Sequence, residues 1–581
     1  MATTNPFRIP LKSRPVASAI ERMLGLHRLA DTYAQRPQNA NTEEFLAFAL
    51  DHLGIRLHTP GGEQSLEQIP RSGPLLIVAN HPLGGLEGVA ITKLLMAIRP
   101  DIKVLTNELL TRIPEFQSIF VGVNVLSDNA ARENIRGIRT VAKHLENGGC
   151  LLMFPAGKVA SINVRNRRIE DHPWNRLAGK LLQRSGATCL PIHVGGYNSK
   201  LFYSLGLIHP RLRTVLLPRE LTNKQNSTLS LTIGEPITPA ELRHLENERA
   251  ITDYIRLATD FLNLQYERTG APSTLQFAEI SEPGGDAHEH LQTITEFRLI
   301  ESDTFDVYCV PYDQLGPVMT EIGIAREVTF RDVGEGTGNP IDTDRFDPHY
   351  LHLFIWDKEE QRIAGGYRIG HPHSIADEHG MDALYARTLF NFNRDYLDKV
   401  GCSLEMGRSF VYPEYQRHPM VLDLLWRGIG AYVAKHPQYH TLFGAVSISR
   451  EYSNFARALI AESMVTAFPA DKEYMEDVHP IVPLKVSKKP WSQAMLKSLK
   501  HVSALNKLVG RCDPDKGLPT LLRHYLSLNG KFVCFSVNKV FNDSLDGLIL
   551  VDMRKMPGRY LKRYLGKDGA KRFMEKWETE E

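Results

Sequence analysis

The chain has 581 residues, 42% hydrophobic and 23% charged, with a formal net charge of +2. That length exceeds the roughly 250–300 residues at which one core stops growing, so two or more domains are expected. No run of about 18 uninterrupted apolar residues offers a membrane span, and the near-neutral charge gives no reason to expect a nucleic-acid partner. Six cysteines, Cys150, Cys189, Cys309, Cys402, Cys512 and Cys534, are spread singly, which argues against a disulfide framework and against a zinc site. The opening MATTNPFRIPLKSRPVASAI lacks a basic stretch followed by a long apolar one, so no secretory leader is expected and the chain reads as cytoplasmic. Charge is distributed unevenly. From Leu484 to Glu581 there are 20 Lys plus Arg against 10 Asp plus Glu, and the remainder is acidic.

In chain order, residues 1–70 show helical spacing, as in Ala17-Ile20-Met23-Leu24 and Phe45-Leu46-Phe48-Ala49-Leu50, and predict an amino-terminal helical cap. From Pro74, short apolar runs alternate with helical segments: PLLIVAN, GVAITKLLMAI, IKVLTN, ARENIRGIRTVAKHL, CLLMFPAG, NRLAGKLLQRSG and TCLPIHVGG. This alternation predicts an α/β domain with a buried sheet over residues 71–269. Residues 270–292 are rich in Pro, Gly and Ser with little periodic apolar content, and are expected to be the linker. A second α/β domain follows over 293–581, mostly antiparallel because the polar turn Asp357-Lys358-Glu359-Glu360 joins two of its strands. The tail from GLPTLLRHYL to DGLILVDM is expected to complete that domain, with Asp546 in Leu545-Asp546-Gly547 read as a turn residue.

The strand from Pro74 to Asn80 runs directly into Asn80-His81-Pro82-Leu83-Gly84-Gly85-Leu86-Glu87. A histidine at a strand end, with a carboxylate six residues on, suits a general base held in one tautomer. Gly84 and Gly85 let a bulky thioester approach the backbone. A satisfied structural histidine is the alternative. With Phe154-Pro155-Ala156-Gly157 and Leu190-Pro191-Ile192, the stretch from about 70 to 240 resembles the lysophospholipid and glycerol-phosphate acyltransferases. Their first block is Asn-His with an Asp five residues after the His, their third Phe-Pro-Glu-Gly, and their fourth an apolar run ending in Pro. The resemblance implies acyl transfer from a thioester to a hydroxyl. It makes His81 the base and Glu87 its orienter, with Asn80, Gly84, Gly85, Phe154, Pro155, Gly157 and Lys158 at the substrate. Two departures stand out: the acid is a Glu one residue later, and Ala156 replaces the third-block glutamate. In relatives that block helps hold a phosphorylated glycerol, so its change favours a lyso-lipid with another headgroup.

In the second domain, Arg326 and Phe330 precede the acidic trio Asp342, Asp344 and Asp347, then Gly366-Tyr367-Arg368 and Glu405-Met406-Gly407-Arg408. Carboxylates suit an amino group and arginines a carboxylate held by paired hydrogen bonds; the same residues also pair with one another. Glu405 and Arg408, three apart on a predicted strand, face opposite sides unless a bulge intervenes. The order of these motifs over about 295–465 resembles the acyl-homoserine-lactone synthases and related amino-acid N-acyltransferases, which have the N-acetyltransferase fold. It implies that Arg326, Phe330, Asp342, Asp344, Asp347, Arg368, Glu405 and Arg408 are functional, Glu405 as a catalytic group, and that the donor is acyl carrier protein. Consistent with that donor, Gln416-Arg417-His418-Pro419-Met420-Val421 has no glycine and a proline where a coenzyme-A-dependent relative carries its pyrophosphate loop.

Together the halves resemble the bifunctional ornithine lipid synthases. That resemblance implies N-acylation of ornithine with a 3-hydroxyacyl group by the carboxyl-terminal half and O-acylation of the new 3-hydroxyl by the amino-terminal half, with no metal or redox cofactor. Glycine, lysine or glutamine as acceptor, an ordinary lysophospholipid acyltransferase, and a non-catalytic lipid- or carrier-binding protein are the alternatives. Work on lipids places the chain peripherally at the inner face of the cytoplasmic membrane. Lys485, Lys488, Lys489, Lys497 and Lys500, with Trp491 and Leu499 between, offer an attachment to anionic headgroups; an acidic protein partner and a plain solvated face are the alternatives.

Overall fold

The computed structural model describes residues 5–8, 13–123, 134–164, 167–264 and 277–578. The chain divides into two compact units, one formed by Met1–Glu267 with Pro490–Cys512, the other by Arg268–Lys489 with Asp513–Glu581. Residues 270–276 of the expected linker lie outside the described residues, and Ala287–Thr293 within its far end is helical.

The first unit starts with three helices, α1 (Arg14–Met23), α2 (Leu26–Ala34) and α3 (Thr42–His52). The expected cap is not purely helical, because β1 (Arg56–His58) joins the sheet. Six more strands follow: β2 (Leu75–Ala79), β3 (Lys103–Asn107), β4 (Phe120–Val123), β5 (Cys150–Met153), β6 (Thr188–Val194) and β7 (Thr228–Ile233). Their order is β1-β7-β6-β2-β5-β3-β4, parallel throughout except between β6 and β7. Strand β2, LLIVA, is buried along its whole length, as a central parallel strand covered on both faces must be. It feeds α4 (Gly85–Met96), and α4 and α3 pack on β2 through Ile91, Leu86, Phe45 and Leu46. Two helices, α5 (Lys200–Ile208) and α6 (Pro210–Thr222), form a hairpin after β6. The last long helix, α7 (Glu248–Leu264), is mostly buried.

Part of the reason for that burial comes from far along the chain. Helices Gln493–Ser498 and Val502–Cys512 cover α7, with Trp491 edge-on to Phe261 at 6.1 Å. Arg511 clamps Glu241 by two 2.9 Å hydrogen bonds. Trp491 and Leu499, expected to offer themselves to lipid among the lysines, are core residues of the first unit. A tryptophan and three or four leucines at helical spacing pack more favourably against protein than against water, and that outweighs the basic side chains between them.

The second unit is built on eight strands: β8 (Arg298–Glu301), β9 (Phe305–Pro311), β10 (Leu351–Asp357), β11 (Arg362–Gly370), β12 (Ser403–Val411), β13 (Thr441–Ile448), β14 (Lys531–Asn538) and β15 (Ser544–Asp552). They run in the order β8-β9-β10-β11-β12-β13-β15-β14. Only β12 and β13 are parallel, and their ladder ends at Met406 opposite Gly444. Beyond that point β12 continues along β11 with a register shift, and Arg408 takes the left-handed backbone at φ +48°. This is a bulge of the kind that bends a strand away from its neighbour. Helices α8 (Val318–Asp332) and α9 (Val421–Lys435) are two of the long helices of this unit.

Replacing Trp491 by alanine is expected to destabilise the first unit by about 3–5 kcal/mol. Hydrogen exchange should quicken in α7 and stay unchanged in β10. Equal change in both would contradict the division.

Candidate active sites

Where β2 ends, Asn80 exchanges two hydrogen bonds with the backbone of Val194, at 2.9 and 2.6 Å, so its amide ties β2 to β6. The turn that follows places His81 against Glu87, Nδ1 to Oε1 2.9 Å. Glu87 reaches back because it stands in the first turn of α4. The same Oε1 accepts the backbone amides of Leu83 (3.0 Å) and Gly84 (2.8 Å), donors that a helix start leaves free. Gly84 adopts φ +111°, and a Cβ there would lie 2.8 Å from Leu217. This tight turn absorbs the extra residue between histidine and acid. Beside Gly85 the space is open, so a thioester can approach the backbone.

The third block is brought to the same place. The Phe154 ring stacks on His81 with centroids 4.7 Å apart, Gly157 turns the chain at φ +65°, and the Ala160 amide donates to the His81 carbonyl at 2.8 Å. Pro155 accepts the Asn175 amide at 2.9 Å, and Lys158 is exposed. Asp171 belongs here too, although no motif pointed to it. Its carboxylate accepts the His81 amide (3.0 Å) and the Trp174 indole (3.1 Å). Burial disfavours the His81 imidazolium, but the Glu87 hydrogen bond and the charges of Glu87 and Asp171 outweigh it and hold His81 above its ordinary value. With Nδ1 engaged by a carboxylate, the proton sits there and Nε2 is the basic nitrogen.

In the second unit, the arginines and aspartates expected to receive an acceptor's carboxylate and amine are paired with one another. Arg326, from α8, donates to Asp347 (2.9 Å) and approaches His352 (3.1 Å). Arg368, from β11, donates to Asp344 (2.6 Å) and Asp347 (2.9 Å). Arg408, from the bulge, meets Asp344 (2.7 Å) and Asp342 (2.9 Å). Three charges of each sign cancel. All are buried except Asp344 and Arg408, whose side chains are 20% and 6% exposed. Burial pushes Asp347 up, but the charges of Arg326 and Arg368 hold it far below the usual carboxylate range. Phe330 packs edge-on to Phe541, which lies under the Arg408 guanidinium.

The bulge brings Glu405 and Arg408 to one group without pairing them. Glu405 accepts the Tyr350 hydroxyl and the Ala386 amide, both at 2.6 Å, and Arg408 lies over the Tyr385 ring. Both oxygens of Glu405 are therefore occupied, and burial raises its pKa.

Two carboxylates that sequence reasoning did not assign lie beside the parting of β12 and β13. Asp546 is not in a turn but inside β15, opposite Ser447 of β13. Ser447 donates to Glu335 at 2.7 Å, while Asn538 and Ser544 donate to Asp546 at 2.8 and 3.0 Å. Among the described residues neither has an ion-pair partner within 4.0 Å. Burial, helped by the charge of Asp546, pushes Glu335 up to about 8. Burial pushes Asp546 up to about 6, against the pull of its hydrogen bonds and of Arg408.

Comparisons with known proteins find a match in each half of the chain. Residues 39–268 match the acyltransferase family, and residues 325–427 match the acetyltransferase (GNAT) domain. The chain is 30% identical over 271 residues to a glycine N(alpha)-acyltransferase of Phocaeicola vulgatus, covering 43% of this chain and 81% of that protein. It is 27% identical over 205 residues to a lyso-glycine lipid O-acyltransferase of the same organism, 33% and 68% of the two chains. An L-ornithine N(alpha)-acyltransferase of Agrobacterium fabrum is 24% identical over 255 residues, 41% and 77% of the two chains.

His81 should titrate above the ordinary histidine value in nitrogen-detected NMR, and Glu87→Gln should move that titration to lower pH. An unchanged midpoint would mean that Glu87 does not set the charge on the ring.

Proposed function

The chain belongs to the acyltransferase family that includes the glycine N(alpha)-acyltransferases, and from that membership we propose that it makes a doubly acylated amino-acid lipid, one bond in each unit. The observation that supports this most is the presence of two separate constellations in one chain, a histidine paired with a carboxylate and a notch where the parallel strands β12 and β13 part, alongside similarity to both an N-acyltransferase and a lyso-lipid O-acyltransferase.

In the second unit the acceptor amine attacks the thioester carbonyl, forming the amide and releasing the thiol. The neutral Arg–Asp network holds the notch in shape, and Glu405 is a positioning residue for Tyr350 and the Tyr385–Ala386 turn. The proton from the ammonium goes to the Glu335–Asp546 pair, whose pKa values bracket neutrality. In the first unit His81 Nε2 takes the proton of the 3-hydroxyl as its oxygen attacks a second thioester, then returns it to the departing thiolate. Glu87 stabilises the imidazolium, Asp171 fixes the His81 backbone, and Phe154, Pro155 and Gly157 wall the site, with Lys158 at its exposed edge.

The acceptor we favour is ornithine, which the order of motifs in the second unit and the similarity to an L-ornithine N(alpha)-acyltransferase support. Glycine is the second reading, favoured by relatives of that name at 30% and 28% identity. The donor is acyl carrier protein, since Pro419 and the absence of glycine before α9 remove the amides a pyrophosphate needs. The reaction needs no metal or redox cofactor, and the work is done at the inner surface of the cytoplasmic membrane.

Lipids from a host expressing the chain should include the diacylated product, and His81→Ala should replace it by the monoacylated one, a base contributing about 10²–10⁴-fold. Wild-type levels of diacylated lipid in that variant would remove His81 from the chemistry. With purified protein, N-acylation should run at least about tenfold faster from acyl carrier protein than from coenzyme A. In the same assay Asp546→Asn should lower kcat by a similar factor, about 10²–10⁴, for ornithine and for glycine, because either amine delivers its proton to the pair; an unchanged kcat would remove the pair from the chemistry.

A further inference from the structure

Helices α5 and α6 are tied by their roots to the turn that carries His81. Asn198, just before α5, donates to the carbonyls of Pro82 (3.1 Å) and Leu83 (3.3 Å). Ser199 caps α5 and bonds Glu220 of α6 through its amide (2.8 Å) and hydroxyl (2.6 Å). Leu217 lies against Gly84. The inner faces bury Phe202, Tyr203 and Leu216 in a small core against Val159, Ile162 and Ile169.

The outer surface of the hairpin is apolar where a soluble surface is normally polar. Ile208 at the turn is 75% exposed and Leu207 55%, and the apolar strip continues through Leu212 and Val215 on α6 and Leu201 on α5. Arg211 beside the turn, and Lys200 and Arg219 toward the roots, are exposed cations, and the hairpin's one acidic residue, Glu220, is buried and engaged. Apolar side chains most exposed at the turn, with a cation beside them and no exposed acid on either helix, match the requirements of the bilayer interface. There apolar side chains enter the acyl boundary and basic ones meet anionic headgroups. A polar protein partner would leave the turn's leucine and isoleucine uncovered.

We propose that the α5–α6 hairpin is a membrane-docking wedge, whose apolar turn inserts into an anionic lipid bilayer and sets the His81 turn at the surface from which the lyso-lipid is drawn. The proposal rests on the O-acyltransferase reading for the identity of the substrate, but not for the docking itself. The tie from Asn198 to Pro82 and Leu83 gives it a catalytic consequence, since the inserted element and the base-bearing turn then move as one piece.

The test uses the full chain, sedimented with vesicles of phosphatidylcholine plus phosphatidylglycerol. The double substitution Leu207→Glu with Ile208→Glu should weaken vesicle binding by at least about tenfold. O-acylation of lyso-lipid embedded in those vesicles should fall in parallel, and O-acylation of the same lyso-lipid in detergent micelles should hold within about twofold. A second variant that adds no charge, Leu212→Ser with Val215→Ser, should also weaken binding, and it serves if the first melts early. Binding by wild type and both variants alike, or no binding by wild type, overturns the proposal. So does unchanged vesicle binding with a raised KM for acyl carrier protein, which would make the hairpin a carrier surface. If the variants lose vesicle binding while wild type shows no O-acylation even in micelles, the wedge stands and the O-acyltransferase reading falls.

Discussion

An ion taken out of water costs several kcal/mol unless an opposite charge and hydrogen bonds meet it, and the arrangement of both units follows from how that cost is met. In the second unit three arginines and three aspartates meet it with opposite charges, although Nε of Arg326 and Nε and Nη2 of Arg368 are buried without a hydrogen-bond partner. Arg326 comes from α8, Arg368 from β11, Arg408 from the bulge in β12, and the aspartates from one loop, so the pairing joins three elements and a connection into one body. Such a network contributes shape more than stability, because its Coulomb gain is largely offset by desolvation. Removing one member would leave its partner buried and unpaired. In the first unit the same cost at Glu87 is met by two backbone amides at a helix start and by His81.

Where no opposite charge meets the cost, a carboxyl group keeps its proton to higher pH. Glu335 and Asp546 are as deeply buried as the network but have no ion-pair partner among the described residues, and they hold protons toward neutral pH for that reason. They lie where β12 and β13 separate, and the separation traces to one residue, Arg408, whose left-handed backbone shifts the ladder to β11. The arginine that completes the charge balance is thus also the residue that opens the sheet.

The parts legible in the sequence were those written as local patterns. The alternation of apolar runs gives the buried parallel sheet, the antiparallel second sheet follows from its short turns, and the His81–Glu87 and Phe154–Gly157 stretches fall on one another because each ends a neighbouring parallel strand. The rest depends on partners far away in the chain. Asp171 meets His81 across 90 residues and Glu335 meets Ser447 across 112, and neither carries a spacing that marks it. Asp546 resembled a turn because Leu-Asp-Gly is turn-like locally, yet the buried run through Val551 makes it a strand. The acids and arginines were correctly gathered but not correctly paired: sequence order brings charges together and leaves open whether they meet a ligand or each other. Trp491 and Leu499 show the same limit, an amphipathic pattern that fits a bilayer or a neighbouring helix equally well until the neighbour is known.

The two units also differ in a way that fits the proposed order of the reactions. A free amino acid is small and water-soluble, so its site needs burial and charge but no lipid contact, as the notch beside Glu335 and Asp546 provides. Its monoacylated product carries a single chain, and one chain of about fourteen carbons gives only marginal, reversible membrane binding. An enzyme acting next on that product gains by standing at the bilayer, where the product is most concentrated, and the apolar hairpin belongs to the unit with His81. A second chain strengthens that retention. On the proposed reading O-acylation is therefore the step that commits the lipid to the membrane, and the proposed wedge is tied to the turn that carries His81.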